Sequence, residues 1–491
     1  MERRQFFKYS LSSLMLGGLV NQVQGADAPH IDTPDADLLP ENALIVDQPL
    51  KILAKLANES TNKGEFIAVL TAEECLVQLT HNTAPTICYA YNQQVPGPLI
   101  ELEAGMKVRI TFVNNLKVPS TIHWHGLPVP PNQDGGPDDP VAPGTTKVYE
   151  FQLPDSLSGT YWYHPHPLKG TAEQFAKGLA GPIVIRHPQE SLGDLPETHW
   201  VVNDLRLDST GKVPPHTYAD WVDGREGEFV LLNGQYKPHM TLTSQQRIRI
   251  WNMCSARYLN LSLPGCQLIQ VGSDGGLMEK ALASQHDILL SPGERMEVLV
   301  TGESGEYGIN LLPYNRHPMI SKPPETAQII ANVSFKKEVS PTVIGIALRA
   351  IEPLLEGTNV LRAIMSEKMA DIMKNKGGIP PRAFLINGKD FELTRMDLYS
   401  QVGKVDHWQI INATTMDHPF HIHGGQFQIV QRVYRGQKTL SECLAWKDTV
   451  NVRPGEIVHL LMLQDKPGMR MFHCHIIEHE ELGMMGNLMV V

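Results

Sequence analysis

The sequence is poor in long apolar runs, in positive charge and in cysteine. Beyond its N-terminus it has no apolar run of the roughly 20 residues that a membrane-spanning helix needs. Positive charge is in deficit: 42 Lys and Arg face 53 Asp and Glu, a formal net charge of −11. This balance argues against a nucleic-acid partner and is compatible with small cationic substrates such as metal ions. Cysteine is scarce, with six residues. The chain has 491 residues, of which 42% are hydrophobic and 19% are charged. This length and composition are typical of a folded protein of two to four domains.

The N-terminus has the pattern of an export signal. Arg3 and Arg4 precede an apolar run at 11–20, and small residues follow at 25–28. This order is typical of a secretory signal, and the apolar run is too short to span a bilayer. The arginine pair resembles a twin-arginine signal, although a chance pair before an ordinary secretory signal gives the same pattern. We therefore expect residues 1–28 to be a twin-arginine-type signal peptide that directs the protein to the periplasm.

One segment near the C-terminus carries a metal-binding pattern. His473, Cys474 and His475 are followed by His479 and Met484, in the order H-C-H-x3-H-x4-M. Successive side chains of a strand point to opposite faces, so Cys474 would face away from its two neighbouring histidines. A thiolate, an imidazole and a weak thioether form the ligand set of blue copper. The segment therefore predicts two metal centres joined by one short covalent bridge.

Further histidines occur in three clusters of the same kind. They are His123 and His125, His164 and His166, and His418, His421 and His423. On an extended backbone each H-x-H places two imidazoles on one face. An isolated pair is usually an ordinary surface or core feature, but the four clusters together hold ten of the chain's 20 histidines. A zinc hydrolase usually needs three protein ligands, so this number favours a centre with several metal ions.

Internal repeats indicate three copies of one unit. A Pro-Gly pair precedes an alternating run at 143–144, at 292–293 and at 454–455. Short alternating strands between Gly, Pro and Asn turns are typical of β-sandwiches and barrels. We therefore predict an all-β fold with domains at 40–188, 189–355 and 356–491. The middle copy has no H-x-H, so the histidine cluster is predicted at an interface between the first and third copies.

Together these motifs resemble those of the three-domain multicopper oxidases, the bacterial laccase-like and cuprous-oxidase-like group. The resemblance runs from Ala43 to Val491 and implies cupredoxin-like Greek-key domains that hold four copper ions. It implies a type 1 copper on His418, Cys474, His479 and Met484, and a type 2 copper on His123 and His421. It implies two type 3 coppers, one on His125, His164 and His475 and one on His166, His423 and His473.

The resemblance also implies a reaction. One-electron oxidations of a donor at type 1 copper would be coupled to four-electron reduction of O2 to water at the other three ions. The protein's share would be geometry and access. Glu480 and Asp134 match acidic residues near the cluster in this family. We expect them to supply protons, or alternatively to orient ligands through hydrogen bonds.

The donor pocket is expected beside His418, which Met416 and Asp417 precede. Methionines recur every four residues in 361–376, a spacing that predicts a helix with Met365, Met369 and Met373 on one stripe. Such a stripe usually fills a core, but thioethers also suit Cu(I).

Three functions follow in order of preference. The main prediction is a monomeric laccase-like oxidase of phenols, aromatic amines or similar donors. The first alternative is a cuprous oxidase in copper tolerance, and the second is a non-catalytic cupredoxin scaffold. Loss of Cys474 or of a histidine cluster would favour the scaffold, and none is lost.

The remaining five cysteines cannot pair completely because their number is odd. Cys75 and Cys88 lie on neighbouring predicted strands, and Cys254 and Cys266 flank another. Either pair could form a disulfide in an oxidising periplasm, or all could stay buried free thiols.

Overall fold

The computed structural model describes residues 38–81, 84–320, 325–339, 346–355, 357–374 and 378–491. The expected signal peptide at 1–28 lies outside these residues. The described part of the chain is built mainly of strands, and its four α-helices have five or six residues each. None of these helices is long and apolar enough to cross a bilayer.

The first unit consists of two four-stranded sheets with the orders β2-β1-β4-β6 and β3-β8-β7-β5. Its elements are β1 (Glu65–Val77), β2 (Thr86–Tyr91), β3 (Ile100–Glu103), β4 (Lys107–Asn114), β5 (His123–His125), β6 (Thr146–Gln152), β7 (Gly159–His164), α1 (Thr171–Ala176) and β8 (Gly181–Arg186), with 3-10 turns at Glu41–Ala43 and Pro131–Gln133. The buried side chains of both sheets share one core that contains Trp124, Tyr149 and Tyr163.

The middle unit consists of a seven-stranded sheet, β11-β10-β9-β13-β18-β15-β16, and a five-stranded sheet, β12-β20-β19-β14-β17. Its elements are β9 (Glu197–Leu205), α2 (Tyr218–Asp223), β10 (Phe229–Leu232), β11 (Gln235–Tyr236), β12 (His239–Thr243), β13 (Arg247–Asn252), β14 (Leu259–Ser262), β15 (Cys266–Ser273), β16 (Gly276–Leu277), β17 (Asp287–Leu290), β18 (Arg295–Gly302), β19 (Gly305–Leu312) and β20 (Gln328–Lys336).

The third unit consists of a six-stranded sheet, β22-β21-β24-β29-β26-β27, and a five-stranded sheet, β23-β31-β30-β25-β28. Its elements are β21 (Asn359–Glu367), α3 (Met369–Lys374), β22 (Phe384–Ile386), β23 (Leu398–Ser400), β24 (Val405–Asn412), β25 (His418–Ile422), β26 (Phe427–Tyr434), β27 (Gln437–Leu440), β28 (Thr449–Val452), β29 (Ile457–Leu463), β30 (Gly468–Cys474), α4 (Ile477–Glu481) and β31 (Met485–Val490).

The three units repeat one strand arrangement. A parallel pair occurs in each, β1 with β4, β9 with β13 and β21 with β24. The second strand of each pair then joins an antiparallel partner, β6, β18 or β29, and each of these partners follows one of the predicted Pro-Gly turns. Burial alternates with period two along β4 and β24, as expected for a strand with one face toward a core. The predicted all-β fold is confirmed.

The predicted methionine helix is wrong. The segment 359–367 is strand β21, paired in parallel with β24, and only Met369–Lys374 is helical. Met365 is fully buried on the strand, whereas Met369 and Met373 are half-buried on the short helix. A spacing of four residues fits the strand period as well as the helix period, and the buried alternation of Leu361, Ala363 and Met365 decides for the strand.

All six cysteines carry free thiols. Cys75 and Cys88 lie directly opposite each other on β1 and β2, without a disulfide. Cys254 and Cys266 are both buried in the core of the middle unit. Of the two alternatives open for these four residues, the structure contains the free thiols.

Candidate metal centres

A small pocket in the third unit brings together the His/Cys/Met set that the sequence predicts. The ligand atoms of His418, Cys474 and His479 lie within 4.8 Å of one another, and all three residues are fully buried. Nδ1 of His418 is 3.3 Å from Cys474 Sγ and 3.3 Å from His479 Nδ1. Met484 is also fully buried, and its N–H donates to the carbonyl of His479. β25, β30 and α4 therefore supply one pocket.

The environment of this pocket suits a metal-bound thiolate. Burial raises the pKa of the Cys474 thiol, so the anion forms readily only where a cation replaces the proton. Burial lowers the pKa of His418 to about 3 and that of His479 well below its ordinary value, so both imidazoles are neutral ligands at ordinary pH. Nε2–H of His479 donates to the carbonyl of Val222 over 2.8 Å, which leaves Nδ1 for a metal.

Eight histidines converge in a second cluster between the first and third units, and we call the space that their rings enclose the eight-histidine cavity. The structure brings together four from each, namely His123, His125, His164 and His166 from the first and His421, His423, His473 and His475 from the third, all buried. Strand pairing places them in equivalent ways, because His123 faces His164 across β5 and β7 and His421 faces His473 across β25 and β30. Rings from the two units stack, with centroids 3.8 Å apart for His123 and His423.

Hydrogen bonds fix which ring nitrogen faces the cavity. Nδ1 of each of His123, His164, His421 and His473 lies 2.8–3.0 Å from a backbone carbonyl. Nδ1 of His423 lies 2.9 Å from Asp134 Oδ2, whereas His125 uses Nε2, which lies 2.9 Å from Asp448 Oδ1. Because each of these bonds requires an N–H donor, the opposite nitrogen carries a lone pair. Six of the eight imidazoles are thereby oriented for metal binding.

The ring nitrogens that make none of these hydrogen bonds are placed to bind a group of cations. Nε2 of His123, His164 and His421, Nδ1 of His125 and both ring nitrogens of His475 are buried without a hydrogen-bond partner in the described residues. Nε2 of His473 lies 3.0 Å from that of His423 and 3.4 Å from that of His166. Lone pairs at such distances repel each other unless a cation lies between them. Imidazoles bound tetrahedrally to one metal ion at about 2.0 Å would be separated by roughly 3.3 Å.

Two carboxylates border the cavity as predicted. Asp134, 3% exposed, lies 2.9 Å from Nδ1 of His423 through Oδ2, and its backbone carbonyl accepts from His123. Burial would raise the pKa of Asp134, but its electrostatic interactions and hydrogen bonds with the imidazoles of His423 and His123 outweigh burial and hold the pKa well below its ordinary value. Glu480 Oε1 is 3.5 Å from His166 Nε2, and Oε2 is 3.3 Å from His473 Nδ1.

Glu480 differs from Asp134 in the direction of its pKa shift. Burial, with Glu481 and Glu478 nearby, raises the pKa of Glu480 well above its ordinary value. The carboxyl group of Glu480 therefore keeps its proton to a higher pH than that of Asp134 does. Side chains one position apart on a helix differ by about 100° in direction. The helix α4 can therefore carry His479 toward the thiolate pocket and Glu480 toward the eight histidines.

A second group of charges lies behind the cavity, and no motif in the sequence predicts it. Asp448 Oδ1 accepts from His125 Nε2, and the carbonyl of Asp448 accepts from His421 Nδ1. Arg295 of the middle unit binds both carboxylate oxygens of Asp448, each over 2.6 Å, and neither side chain is exposed. Asp274 receives the backbone N–H groups of Arg295 and Asp448. The middle unit, whose sequence has no H-x-H, thus contacts the cavity wall.

The residues predicted to bind the electron donor are only partly brought together. Met416 and Asp417 are fully buried next to His418 in the chain. Oδ2 of Asp417 accepts from Tyr314 and Asn451, over 2.7 and 2.8 Å. Met365, Met369 and Met373 do not form the expected stripe, because the first lies on β21 and the others on α3.

This fold and this set of buried histidine, cysteine and methionine side chains define a copper-dependent oxidoreductase. Comparisons with known proteins give the family: residues 75–190 and 364–491 match models described as multicopper oxidase. The chain is 32% identical over 415 residues to the multicopper oxidase mco of Staphylococcus aureus, covering 82% of this chain and 83% of the relative. It belongs to the multicopper oxidases, copper enzymes that use O2 as the electron acceptor.

Other relatives cover most of the chain. A solved structure titled "Multicopper oxidase from Campylobacter jejuni: a metallo-oxidase" superimposes with a TM-score of 0.90 at 42% identity, covering 93% of this chain and 98% of that one. The laccase of Bacillus subtilis is 26% identical over 505 residues, covering 89% of this chain and 96% of the relative.

The buried histidines predict acid sensitivity of the copper-free protein. Burial lowers the pKa of His423 to about 4 from 6.5, and that of His475 to about 3. Above about pH 6.5 the imidazoles of His423 and His475 are neutral in both the folded and the unfolded chain. As the pH falls from about 6.5 toward 4, these imidazoles take up protons mainly in the unfolded chain. Stability should therefore fall as the pH falls toward 4, by about 3 kcal/mol for His423 alone. Thermal unfolding at a series of pH values measures this, and an unfolding temperature constant from pH 7 to pH 5 would contradict it.

Proposed function

We propose that the protein is a laccase-like oxidase with four copper ions in the two centres described above. His418, Cys474, His479 and Met484 would hold type 1 copper, and His123 with His421 would hold type 2 copper. His125, His164 and His475 would hold one type 3 copper, and His166, His423 and His473 the other. The observation that carries the proposal is the covalent link of Cys474 to His473 and His475, since these residues border different cavities.

The residues around the copper ions would provide an electron route, a proton, ligand orientation and exclusion of water. When bound, copper supplies the electron transfer and the oxygen chemistry. The backbone from Cys474 to its two neighbouring histidines offers a short through-bond route between the cavities. Glu480 holds a proton within 3.5 Å of two cavity histidines, and Asp134 orients His123 and His423. Burial of all ten histidines keeps bulk water away from both centres.

Replacing Glu480 with glutamine should separate proton supply from electron entry. The amide cannot donate and regain the proton that the raised pKa keeps on Glu480, whereas the type 1 pocket is unchanged. We expect O2 reduction by the reduced enzyme to slow by about 10²-fold or more, and reduction of type 1 copper by the donor to change little. Stopped-flow absorbance measures the two steps separately. Equal slowing of both steps would argue against a proton role, and Glu442→Gln, at an exposed position outside both cavities, is the control.

The donor is proposed to be a phenol or an aromatic amine, and Cu(I) is the second candidate. The relative titled a metallo-oxidase favours Cu(I), as does buried Met416 two residues before His418. Oxygen uptake by the copper-loaded protein, with Cu(I) and a methoxyphenol in parallel, tests the choice. Phenol turnover without added copper supports the laccase proposal. Strong Cu(I) turnover, with phenol oxidation only after Cu(II) is added, would replace it with a cuprous oxidase.

The organisation and the cellular location are proposed on the same basis. Domains at 40–188, 189–355 and 356–491 are supported by the grouping of the strands into three pairs of sheets that share no strand. Export to the periplasm by the twin-arginine route is supported by Arg3-Arg4 and the apolar run that follows. The enzyme is proposed to act as a monomer. A complete set of ligands in the chain speaks against a non-catalytic scaffold.

A further inference from the structure

Two paired strands of the third unit, β30 and β31, carry four methionines on one face. The directly opposed pairs on this face are Met469 with Met489, Met471 with Asn487, and His473 with Met485. Alternate residues of a strand point to the same side, so these side chains form two adjacent rows that end at His473. We give the name methionine track to Met469, Met471, Met485 and Met489.

Burial increases along the methionine track toward the eight-histidine cavity. The outer pair, Met469 and Met489, is half-buried, whereas Met471 and Met485 are 3% and 4% exposed and belong to one buried cluster. Opposed Cβ atoms of antiparallel strands are about 4.5–5.5 Å apart, so the thioether of Met485 is within reach of the imidazole of His473. The track therefore leads from a region that solvent reaches to a histidine of the cavity.

The inner end of the methionine track borders a small cavity of its own. This cavity has a volume of about 10 Å³, and its lining includes Met485, His166 and Glu480. Roughly 10–15 Å³ is enough for one guest the size of a water molecule. Oε2 of Glu480 is buried there without a hydrogen-bond partner among the described residues. Side chains that offer a thioether, an imidazole and a carboxyl group thus surround space for one small ion.

Two acidic segments cover the methionine track. Residues 131–139 of the first unit lie against it, since a Cβ at Gly136 would overlap Cε of Met471. Residues 390–397 of the third unit lie beside the other row, because Nδ2 of Asn487 donates to the carbonyls of Glu392 and Leu393 over 3.1 and 3.2 Å. The charges of these two segments therefore act on any ion that enters the track.

Acids outnumber cations around the methionine track. Apart from Glu480, the acids in the covering segments and the cavity lining are Asp134, Asp138, Asp139, Asp390, Glu392, Asp397 and Glu481. The cations in these places, on β30 or in ion pairs with these acids are Lys147, Lys169, Arg382, Arg395 and Arg470. The surroundings thus favour a cation over an anion.

The chemistry of the methionine track selects one kind of cation. Thioethers are soft ligands that suit Cu(I), whereas Cu(II) prefers nitrogen and oxygen. Buried methionines usually fill a core. Here, however, they form a continuous set from a half-buried pair to a histidine cluster, beside acidic segments. A copper protein whose cavity histidines are all buried also needs a way for the metal to reach them.

We propose that the methionine track is the entry site through which Cu(I) loads the eight-histidine cavity. Met471 and Met485 bind one Cu(I) ion through their sulfurs and pass it to His473 and His166. The step is a ligand exchange, in which two copper–sulfur contacts are replaced by bonds to neutral imidazoles, and no electron or proton is transferred. The inference rests on the proposed copper assignment of the eight histidines and adds the route by which they are loaded.

The rate of copper uptake tests the route. The test variant is Met471→Leu with Met485→Leu, and the control is Met240→Leu with Met278→Leu, two buried methionines of the middle unit. Leucine keeps the volume and removes the sulfur. Copper-free protein receives Cu(I) or Cu(II) without oxygen, and a chelator stops uptake at set times. Copper in the cavity is total copper less type 1 copper, which the blue absorption counts after air is admitted.

The two ions should give different results. We expect the test variant to load with Cu(I) about tenfold more slowly, and with Cu(II) less than twofold more slowly, with the same final copper content. The control variant should load at the rate of the unaltered protein with either ion. Equal rates with Cu(I) in all three proteins would overturn the proposal. Equal slowing with both ions would also overturn it, because the substitutions would then act on the cavity and not through sulfur.

Silver ion tests the binding site itself. Ag(I) is a stand-in for Cu(I) that is not oxidised, and in the copper-loaded enzyme the two proposed centres are already filled. Equilibrium dialysis should show one Ag(I) per chain fewer in the test variant than in the unaltered and control proteins, since the free thiols are the same in all three. The same amount of Ag(I) in all three proteins would disprove a site at Met471 and Met485.

These measurements separate failure of the route from failure of the proposed function. If the cavity fills and the enzyme reduces O2, but the test variant loads and binds Ag(I) like the control, the route is wrong and the four-copper function stands. If the cavity of the unaltered protein takes up neither Cu(I) nor Cu(II), the four-copper function and the route are both wrong.

Discussion

Replacing Cys474 with serine is expected to remove the blue absorption and reduce donor oxidation by about 10³-fold or more, a barrier increase of about 4 kcal/mol. In the proposed assignment the thiolate is the soft ligand of the type 1 site and gives the shortest covalent link from that site to His473 and His475. A serine hydroxyl is a poor copper ligand and offers no comparable route. The copper content of the loaded protein should fall by one ion per chain, while the eight-histidine cavity still fills.

Measurements on a matched variant decide whether the loss is specific. Cys443→Ser removes another free, half-buried thiol that contacts neither cavity and should leave colour, copper content and activity unchanged. Burying a hydroxyl in place of Cys474 should cost about 1–3 kcal/mol, so circular dichroism should still show a folded chain. A Cys474→Ser protein that remains blue would disprove the type 1 assignment.

Replacing Arg295 with methionine is expected to disrupt the eight-histidine cavity from the middle unit. The change leaves the carboxylate of Asp448 buried without its bidentate partner, a loss of about 3–5 kcal/mol in stability. Asp448 would no longer be held where it accepts from His125 and, through its backbone, from His421. We expect loss of type 2 copper and of O2 reduction, while the blue absorption of the type 1 site is retained.

Electron paramagnetic resonance and copper analysis measure the two sites separately. Arg295→Lys keeps the charge but not the bidentate geometry, so it should retain an intermediate amount of type 2 copper. Arg257→Met is the control: it breaks another buried ion pair of the same unit, with Asp204, and should lower stability without loss of type 2 copper. A full type 2 signal in Arg295→Met would show that the middle unit does not position the cavity histidines.

The sequence was most informative where chemistry depends on neighbours in the chain. The order His473, Cys474, His475 predicts ligands on opposite faces because alternation in a strand is local. The Pro-Gly repeats predicted three similar units for the same reason, and they precede β6, β18 and β29. The resemblance to a family then proposed a ligand role for each clustered histidine, because the motifs match it residue by residue.

Local spacing misled where two periods coincide. Met365, Met369 and Met373 fit a helix by their interval of four, yet that interval is also twice the strand period. The segment with Met365 is a strand because β21 pairs in parallel with β24. That pairing joins segments more than 40 residues apart, so local spacing does not reveal it. The spacing of Cys75 and Cys88 likewise left open whether their thiols pair, and these remain free in the structure.

The sequence by itself determined the class of chemistry: its histidines, its single ligand cysteine and its threefold repeat define a copper oxidase. Only the tertiary structure decided which groups support that chemistry. His125 and Asp448 are 323 positions apart, Arg295 comes from the unit without an H-x-H, and the cleft lined by Lys169, Trp221 and Arg382 takes a wall from each unit. The ligand motifs can be recognised in short stretches of sequence because the direction of each side chain on a strand depends only on its neighbours in the chain. Buried ion pairs and clefts form between distant segments, and only the packing of the units brings those segments together.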